Sequence, residues 1–150
     1  MNLLAQKGFV EPKRVAVVGF AWGASQALAA VERGEVEQAS DYKFRAAAAF
    51  YPRCASFKGY MTVPTLLFAG EGDKMASAEA CRKLVAGKDD FGISRQAVEG
   101  APVRLVAYPH ANLVPRNSPA EYSGAFLEFD KAAVEQSGEA LREFLDQHLR

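Results

Sequence analysis

The sequence predicts an α/β fold in which about four parallel strands form one sheet flanked by helices. Short apolar runs alternate along the chain with segments whose apolar residues recur at helical spacing. The runs are rich in small or β-branched residues, which is typical of strands buried in a parallel sheet. Since the strands are separated by helices, the connections are expected to be right-handed crossovers with helices on both faces of the sheet.

The first strand, the turn and the helix after it are predicted from one continuous stretch. Residues 2–7 indicate the end of a helix, and Glu11-Pro12 indicates a turn into the strand. We expect that strand over Val15–Gly19, buried on both faces. The sequence Gly19-Phe20-Ala21-Trp22-Gly23 then predicts a sharp turn. A helix over residues 24–33 follows, with an apolar face formed by Ala24, Ala27, Leu28 and Val31.

The remaining elements continue the alternation. We expect further strands over 46–51, 63–70 and 103–108. Helices are expected over 76–86 and from Lys131 to the end, and a linker or short helix over 53–61. The polar segments over 34–43, 88–100 and 112–122 are expected to be loops. The last helix is expected to bury one face, formed by Val134, Leu141, Leu145 and Leu149.

Composition and charge restrict the class of protein. With 150 residues, 49% of them hydrophobic, the chain can bury a core as one domain over residues 1–150. Eighteen basic residues balance eighteen acidic ones without a basic cluster, so neither nucleic acid nor a membrane surface is an expected partner. No apolar stretch approaches the roughly 18 residues of a membrane span, and no signal-peptide pattern begins the chain. A cytoplasmic location is therefore expected.

The two cysteines, Cys54 and Cys81, lie far apart and lack the spacing of a metal site. No metal and no cofactor are expected. We expect two reduced, half-buried thiols, and a disulfide between them remains the alternative, subject to the redox state of the compartment. Cys54 follows a predicted strand, at the edge where ligands of open α/β sheets bind, so it is a candidate substrate-binding residue and a weaker candidate nucleophile.

Several blocks in order resemble the dienelactone hydrolase family of α/β-hydrolases. They are GFAWGASQALAAVE, AAAAFYPRC, VPTLLFAGEGD with AEACRKLV, RLVAYP, and EFLDQHL in the closing helix. The resemblance spans nearly the whole chain and implies an esterase or lactonase scaffold. It implies a Ser or Cys nucleophile in a G-x-S-x-G elbow, an Asp after the next-to-last strand and a His after the last strand.

Of the three catalytic positions that the resemblance implies, only one holds the residue type that the family uses. Asp73 matches the acid, which would orient and stabilise a protonated imidazole. The nucleophile position holds Ala21, which has no group that can attack a carbonyl. The histidine position falls on Asn112 or Leu113, and His110 lies slightly too early, so it is only a weak alternative base.

Other residues near the elbow have open assignments. The backbone N–H of Trp22 would serve as one oxyanion donor, and its side chain either lines a pocket or packs against the core. Ser25 lies one helical turn past the bend, which disfavours it as a substitute nucleophile. Glu71 and Asp73 could form an acid/base pair, although acidic residues are also common in tight turns.

The resemblance also implies strands and helices before the elbow, where only residues 1–14 stand in this chain. We therefore expect a partial α/β-hydrolase fold without its N-terminal strands. An inactive domain that binds a small ester, lactone or carboxylate is the favoured function. The alternatives are an active hydrolase that uses His110, Cys54 or a second chain, and an interaction subunit. An exposed edge at Val15–Gly19 predicts a homodimer or a partner chain that completes the sheet.

Overall fold

The computed structural model describes residues 2–87, 100–109, 120–122, 125–127 and 130–150. The helices are α1 (Asn2–Ala5), α2 (Trp22–Ala29), α3 (Glu35–Gln38), α4 (Ala78–Val85) and α5 (Lys131–Leu149). The strands are β1 (Ala16–Phe20), β2 (Ala46–Phe50), β3 (Thr65–Gly70), β4 (Val103–Tyr108), β5 (Ala120–Tyr122) and β6 (Ala125–Leu127). Short 3-10 turns cover Pro12–Arg14 and Cys54–Ser56.

The predicted parallel sheet is confirmed. Its order is β1-β2-β3-β4, and every neighbouring pair is parallel. Helix α2 connects β1 to β2 and α4 follows β3, and both contribute to the same apolar cluster on one face of the sheet. Helix α5 contributes to the cluster on the opposite face. The strands β5 and β6 form a separate antiparallel pair.

The sheet is sandwiched between two apolar layers. Every residue of β2 and β3 is buried. Four consecutive alanines in β2 leave room for the side chains of the helices on both faces, because an alanine side chain stands only one carbon above the sheet. The layer under α2 and α4 includes Leu28 and Leu84, and the layer under α5 includes Phe68 and Phe144.

The prediction that the first strand is buried on both faces is wrong. β1 is an edge strand of the described sheet, and its Val18 and Phe20 are 38% and 56% exposed. Helix α5 packs over β2 and β3, and Val18 and Phe20 lie outside the apolar cluster that it covers. An apolar run does not distinguish an edge strand from a central one, because both carry the same residue types.

Some predicted loops contain regular structure. The expected loop over residues 34–43 includes α3, whose Glu37 pairs with Lys43 at 3.1 Å across the turn. Two acidic residues in the first turn of α3 favour a helix through its dipole. The end of the expected loop over 112–122 is strand β5. Residues 88–99 and 110–119 lie outside the described residues.

The closing helix has the predicted extent and a shifted buried face. Ala133, Ser137 and Phe144 are its buried residues, and Leu141 and Leu145 pack against them as predicted. Val134 and Leu149 are only half-buried. The buried face is centred on small residues and one aromatic side chain. The spacing of large aliphatic residues alone does not predict such a face.

No helix in the described part of the chain is long and apolar enough to cross a membrane.

Candidate active site at the carboxyl edge of the sheet

The predicted site residues follow the carboxyl ends of parallel strands. Ala21 follows β1, Cys54 follows β2 and Asp73 follows β3. The carboxyl ends of parallel strands meet at one edge of a sheet, where open α/β folds bind their ligands. Ala21 and Asp73 are therefore on the same edge, with the β2 strand between them.

The turn at Ala21 has the geometry of a nucleophile elbow. Ala21 adopts φ 50° and ψ −115°, a conformation that non-glycine residues rarely occupy. Its N–H donates to the Phe50 carbonyl at 2.8 Å, and its own carbonyl accepts the Ala24 N–H at 3.1 Å. Since such strain persists only where the surroundings impose it, the strand pairing on one side and α2 on the other hold this turn.

Gly19 makes the close approach of strand and helix possible. A Cβ atom at this position would overlap the carbonyl oxygen of Gly23 and the backbone nitrogen of Ala24. A Cβ atom at Gly23, the second glycine of the elbow, would meet nothing within 4 Å. The first glycine is therefore required by packing here, and the second is not.

Trp22 is the first residue of α2, where no carbonyl within the helix can accept its N–H. A backbone donor at the start of a helix suits the stabilisation of an oxyanion. The indole is 79% exposed, so it does not belong to the core. Its assignment as oxyanion donor and pocket residue stays a prediction.

Ser25 lies inside α2 and not at the bend. Its hydroxyl oxygen accepts a long hydrogen bond of 3.5 Å from the Arg53 N–H. The hydroxyl is thus directed at the segment after β2, consistent with a structural role.

Asp73 organises the turn after β3. One of its carboxylate oxygens accepts the N–H groups of Met75 and Ala76, at 2.7 and 2.8 Å. The side chain is half-buried and belongs to no ion pair among the described residues. The other carboxylate oxygen is therefore available to a partner, which is what the acid of a catalytic triad needs.

Glu71 does not pair with Asp73. Its carboxylate forms an ion pair with Arg82 of α4. The acid/base pair considered from the spacing of the two residues is therefore not formed in this structure.

Cys54 and Cys81 are joined in a disulfide, so the expectation of two reduced thiols is wrong. The two residues are 27 positions apart in sequence, but their Cα atoms are 4.9 Å apart. The 3-10 turn after β2 and helix α4 after β3 meet because their strands are neighbours. The Cys54 side chain is 1% exposed. A buried disulfide sulfur is neither a thiolate nucleophile nor accessible to substrate.

Tyr51 is a candidate that the sequence did not identify. It directly follows β2, adopts φ 57° and is 8% exposed. Its buried hydroxyl has no hydrogen-bond partner among the residues that the structure describes. Burial first, and then the charge of Asp73, raises the pKa of this hydroxyl, so it stays protonated. The only sequence signal was a tyrosine before Pro52 at a strand end, which does not predict positive φ.

His110, Asn112 and Leu113 lie outside the described residues. The weak alternative base and the position of the missing histidine therefore stay sequence predictions.

A parallel sheet with helices on both faces, and a strained turn from a strand into a helix, define the class of α/β-hydrolases. The chain belongs to the dienelactone hydrolase family, whose model matches residues 1–149. No curated protein matches the sequence.

Solved structures that are similar to this chain include hydrolases and a peptidase. An acylaminoacyl peptidase from Pyrococcus horikoshii matches 99% of this chain with a TM-score of 0.65 and 11% identity. A serine-to-alanine variant of puromycin hydrolase, complexed with PGG, matches 71% with a TM-score of 0.52 and 16% identity. Esterase PE8 matches 95% with a TM-score of 0.49 and 18% identity. This chain spans 26%, 20% and 55% of those chains, respectively.

Proposed function

We propose that this chain is a catalytically inactive or strongly impaired hydrolase domain that binds a small ester, lactone or carboxylate at the carboxyl edge of its sheet. The observation that supports the proposal is Ala21. Its methyl group occupies the strained position from which a serine or cysteine of this fold would attack a carbonyl.

The size of the expected defect follows from the chemistry of the triad. Loss of the nucleophile typically lowers turnover by about 10⁶, and the residual catalysis depends on oxyanion donors and substrate binding. Asp73 and the Trp22 N–H can position or polarise a ligand, but neither can form an acyl-enzyme.

The free side of the Asp73 carboxylate and the exposed Trp22 indole are the groups that we assign to ligand binding. The carboxylate can accept a hydrogen bond from a hydroxyl substituent of an ester or lactone, and the indole supplies an apolar surface. A carboxylate ligand would depend instead on N–H donors at the start of α2, because Asp73 would repel it.

Hydrolysis of a chromogenic short-chain ester tests the absence of activity. We expect the parent chain to match the rate of its heat-denatured control, and an Ala21→Ser plus Leu113→His variant to exceed it. Saturable turnover by the parent chain at the rate of this variant would overturn the proposal. Persistence of that turnover in Ser25→Ala would then point to another group, such as His110 or a residue from a second chain.

Thermal shift measurements against small lactones, esters and carboxylates test the binding. A saturable increase in melting temperature is expected for at least one class, because a ligand of the folded state alone stabilises it. Asp73→Asn should weaken the binding of neutral ligands if the carboxylate contacts them. An unchanged melting temperature with every class of ligand would contradict the proposed binding site.

A further inference from the structure

The disulfide between Cys54 and Cys81 joins two segments that follow neighbouring strands of the sheet. Cys54 lies in the 3-10 turn after β2, and Cys81 lies in the middle of α4, the helix after β3. Asp73 lies in the turn that leads from β3 into α4. The disulfide is therefore a covalent contact between two parts of the candidate site.

The Cys54 end of the disulfide is also held by backbone hydrogen bonds to its surroundings. The Tyr51 N–H donates to the Phe68 carbonyl at 2.8 Å, which ties the start of this segment to β3. The Arg53 N–H donates to the Ser25 hydroxyl oxygen of α2 at 3.5 Å. We therefore expect the segment after β2 to keep its position without the disulfide.

The Cys81 end is held by weaker contacts. Helix α4 has eight residues, and an isolated helix shorter than roughly 12 residues is marginal in water. Its buried residues are Ala78, Cys81 and Leu84, so Leu84 is the one large apolar side chain among them. The ion pair between Arg82 and Glu71 is exposed, and exposed ion pairs contribute little to stability. The position of α4 therefore depends strongly on the disulfide.

A displacement of α4 would reach the carboxylate of Asp73. This carboxylate accepts the N–H groups of Met75 and Ala76, and the next residue, Ser77, is the N-cap of α4. Only three residues separate Asp73 from Ser77, so the turn has little length in which to absorb a movement of the helix. The orientation of the carboxylate is thus coupled to the position of α4.

We propose that the disulfide is a redox switch for this turn. The oxidised chain holds α4 and the Asp73 turn against the sheet, and the reduced chain releases both while the sheet stays folded. The sheet does not depend on the disulfide, because its strands are joined by their own hydrogen bonds and every residue of β2 and β3 is buried. Control of ligand binding by this switch rests on the function proposed above, in which Asp73 binds the ligand.

The chemistry is thiol–disulfide exchange with a dithiol reductant. One thiolate of the dithiol attacks a sulfur of the disulfide and forms a mixed disulfide, and the second thiolate then displaces the protein sulfur. The dithiol is oxidised to a disulfide, and Cys54 and Cys81 together take up two electrons and two protons. The two cysteines are 1% and 0% exposed, so the attack requires a local opening, which a short helix with few buried apolar contacts undergoes more readily than the sheet.

Limited proteolysis with trypsin tests the release of α4 without any ligand. Arg82 and Lys83 lie inside α4, and Arg142 lies inside α5, which the disulfide does not join. Dithiothreitol should accelerate cleavage after Arg82 and Lys83 at least about tenfold more than cleavage after Arg142, because a protease cuts segments that open locally. Reoxidation with glutathione disulfide should restore the original rates. Equal acceleration at all three sites, or no response to dithiothreitol, would overturn the proposal.

The Cys54→Ala plus Cys81→Ala variant is the matched control for the reductant. It should be cleaved in α4 like the reduced parent chain, and dithiothreitol should not change its rates. A variant cleaved as slowly as the oxidised parent would contradict the switch. If the variant does not fold, reduction and reoxidation of the parent chain decide.

Calorimetry with α-hydroxy-γ-butyrolactone and methyl lactate tests the consequence for the ligand site. A probe that binds the oxidised chain should bind the reduced chain at least about tenfold more weakly, because the fraction of chains with a correctly placed Asp73 carboxylate falls. Equal affinity in both states would overturn the control of ligand binding. If neither probe binds the oxidised chain, the assignment of Asp73 to ligand binding fails, and the trypsin result alone decides the redox switch.

Discussion

The turn after β1 and the turn after β3 leave the same edge of the sheet, but different forces hold them. The turn after β1 has no side-chain hydrogen bond at its helix start and depends on backbone packing around Ala21. The turn after β3 depends on the carboxylate of Asp73, which binds two backbone N–H groups. One turn is shaped by the absence of side-chain atoms at Gly19, and the other by the presence of a charged group.

The difference explains how a strained turn of this geometry can form around a side chain that has no reactive group. Nothing in the contacts that hold Ala21 requires an oxygen or sulfur on its side chain, so alanine is accommodated without loss of the turn. At Asp73 the carboxylate that we assign to ligand binding also holds the backbone. The conformation of the first turn therefore does not depend on a reactive side chain. The conformation of the second turn depends on the same carboxylate that is available to a ligand.

The largest effect is expected at Gly19. Gly19→Ala should lower the free energy of unfolding by at least about 3 kcal/mol, because the new methyl group overlaps backbone atoms of α2 that cannot move independently. Gly23→Ala is the matched control, with free space at Cβ and a helical position, and should stabilise by about 0.5–1 kcal/mol. Urea denaturation measures both. Equal effects would show that the close approach at Gly19 is wrong.

The disulfide beneath the two turns ranks next. Its loop of 27 residues predicts a loss of about 3.5 kcal/mol in the Cys54→Ala plus Cys81→Ala variant, through the entropy of the unfolded chain. Denaturation with and without a reducing agent should show the same loss in the parent chain and no change in the variant. A parent chain unaffected by reduction would contradict the disulfide. Because the cytosol keeps thiols reduced, that result would favour the cytoplasmic location expected from the sequence.

Ala21→Gly probes the strain in the first turn. Glycine adopts this conformation without a Cβ penalty, so we expect stabilisation of about 1 kcal/mol, less than the full strain because the unfolded chain gains freedom. Ala27→Gly, the same change inside α2, should instead destabilise by at least about 1 kcal/mol. Opposite signs in thermal denaturation are the expected outcome, and a loss of stability at both sites would mean that Ala21 is not strained.

The smallest effect is expected for Asp73→Asn. An asparagine oxygen can still accept the Met75 and Ala76 N–H groups, so the free energy of unfolding should fall by less than about 0.5 kcal/mol. Asp73→Ala removes the acceptor and should cost about 1 kcal/mol. A substitution by asparagine as costly as the one by alanine would indicate that the negative charge, and not the hydrogen bonds, holds this turn.

The sequence predicted the main strands and helices of the fold more fully than the exposure of single residues or the positions of short elements. Apolar runs and helical spacing identified the four strands of the parallel sheet and the helices around them. They did not identify the exposure of Val18 and Phe20, because the position of a strand within a sheet depends on which element covers it. The short α3 and β5 were missed, since a few polar residues carry little periodicity.

The candidate site was predictable where a motif defines it. The elbow at Ala21 and the position of Asp73 followed from ordered blocks of sequence. The disulfide and the buried Tyr51 hydroxyl did not, because both arise from contacts between segments that are distant along the chain. Positive φ at Tyr51 is likewise imposed by its surroundings, since tyrosine has no preference for it.

The most direct measurement of whether the elbow lacks a nucleophile is the intact mass of the chain after incubation with a fluorophosphonate probe. The probe forms an adduct only with an activated hydroxyl or thiol, and the methyl group of Ala21 offers neither. We predict no added mass on the native chain and none on the peptide that contains residues 15–33. An adduct mapped to Ser25 would contradict the central claim, because this fold would then hold a working nucleophile one turn beyond the bend.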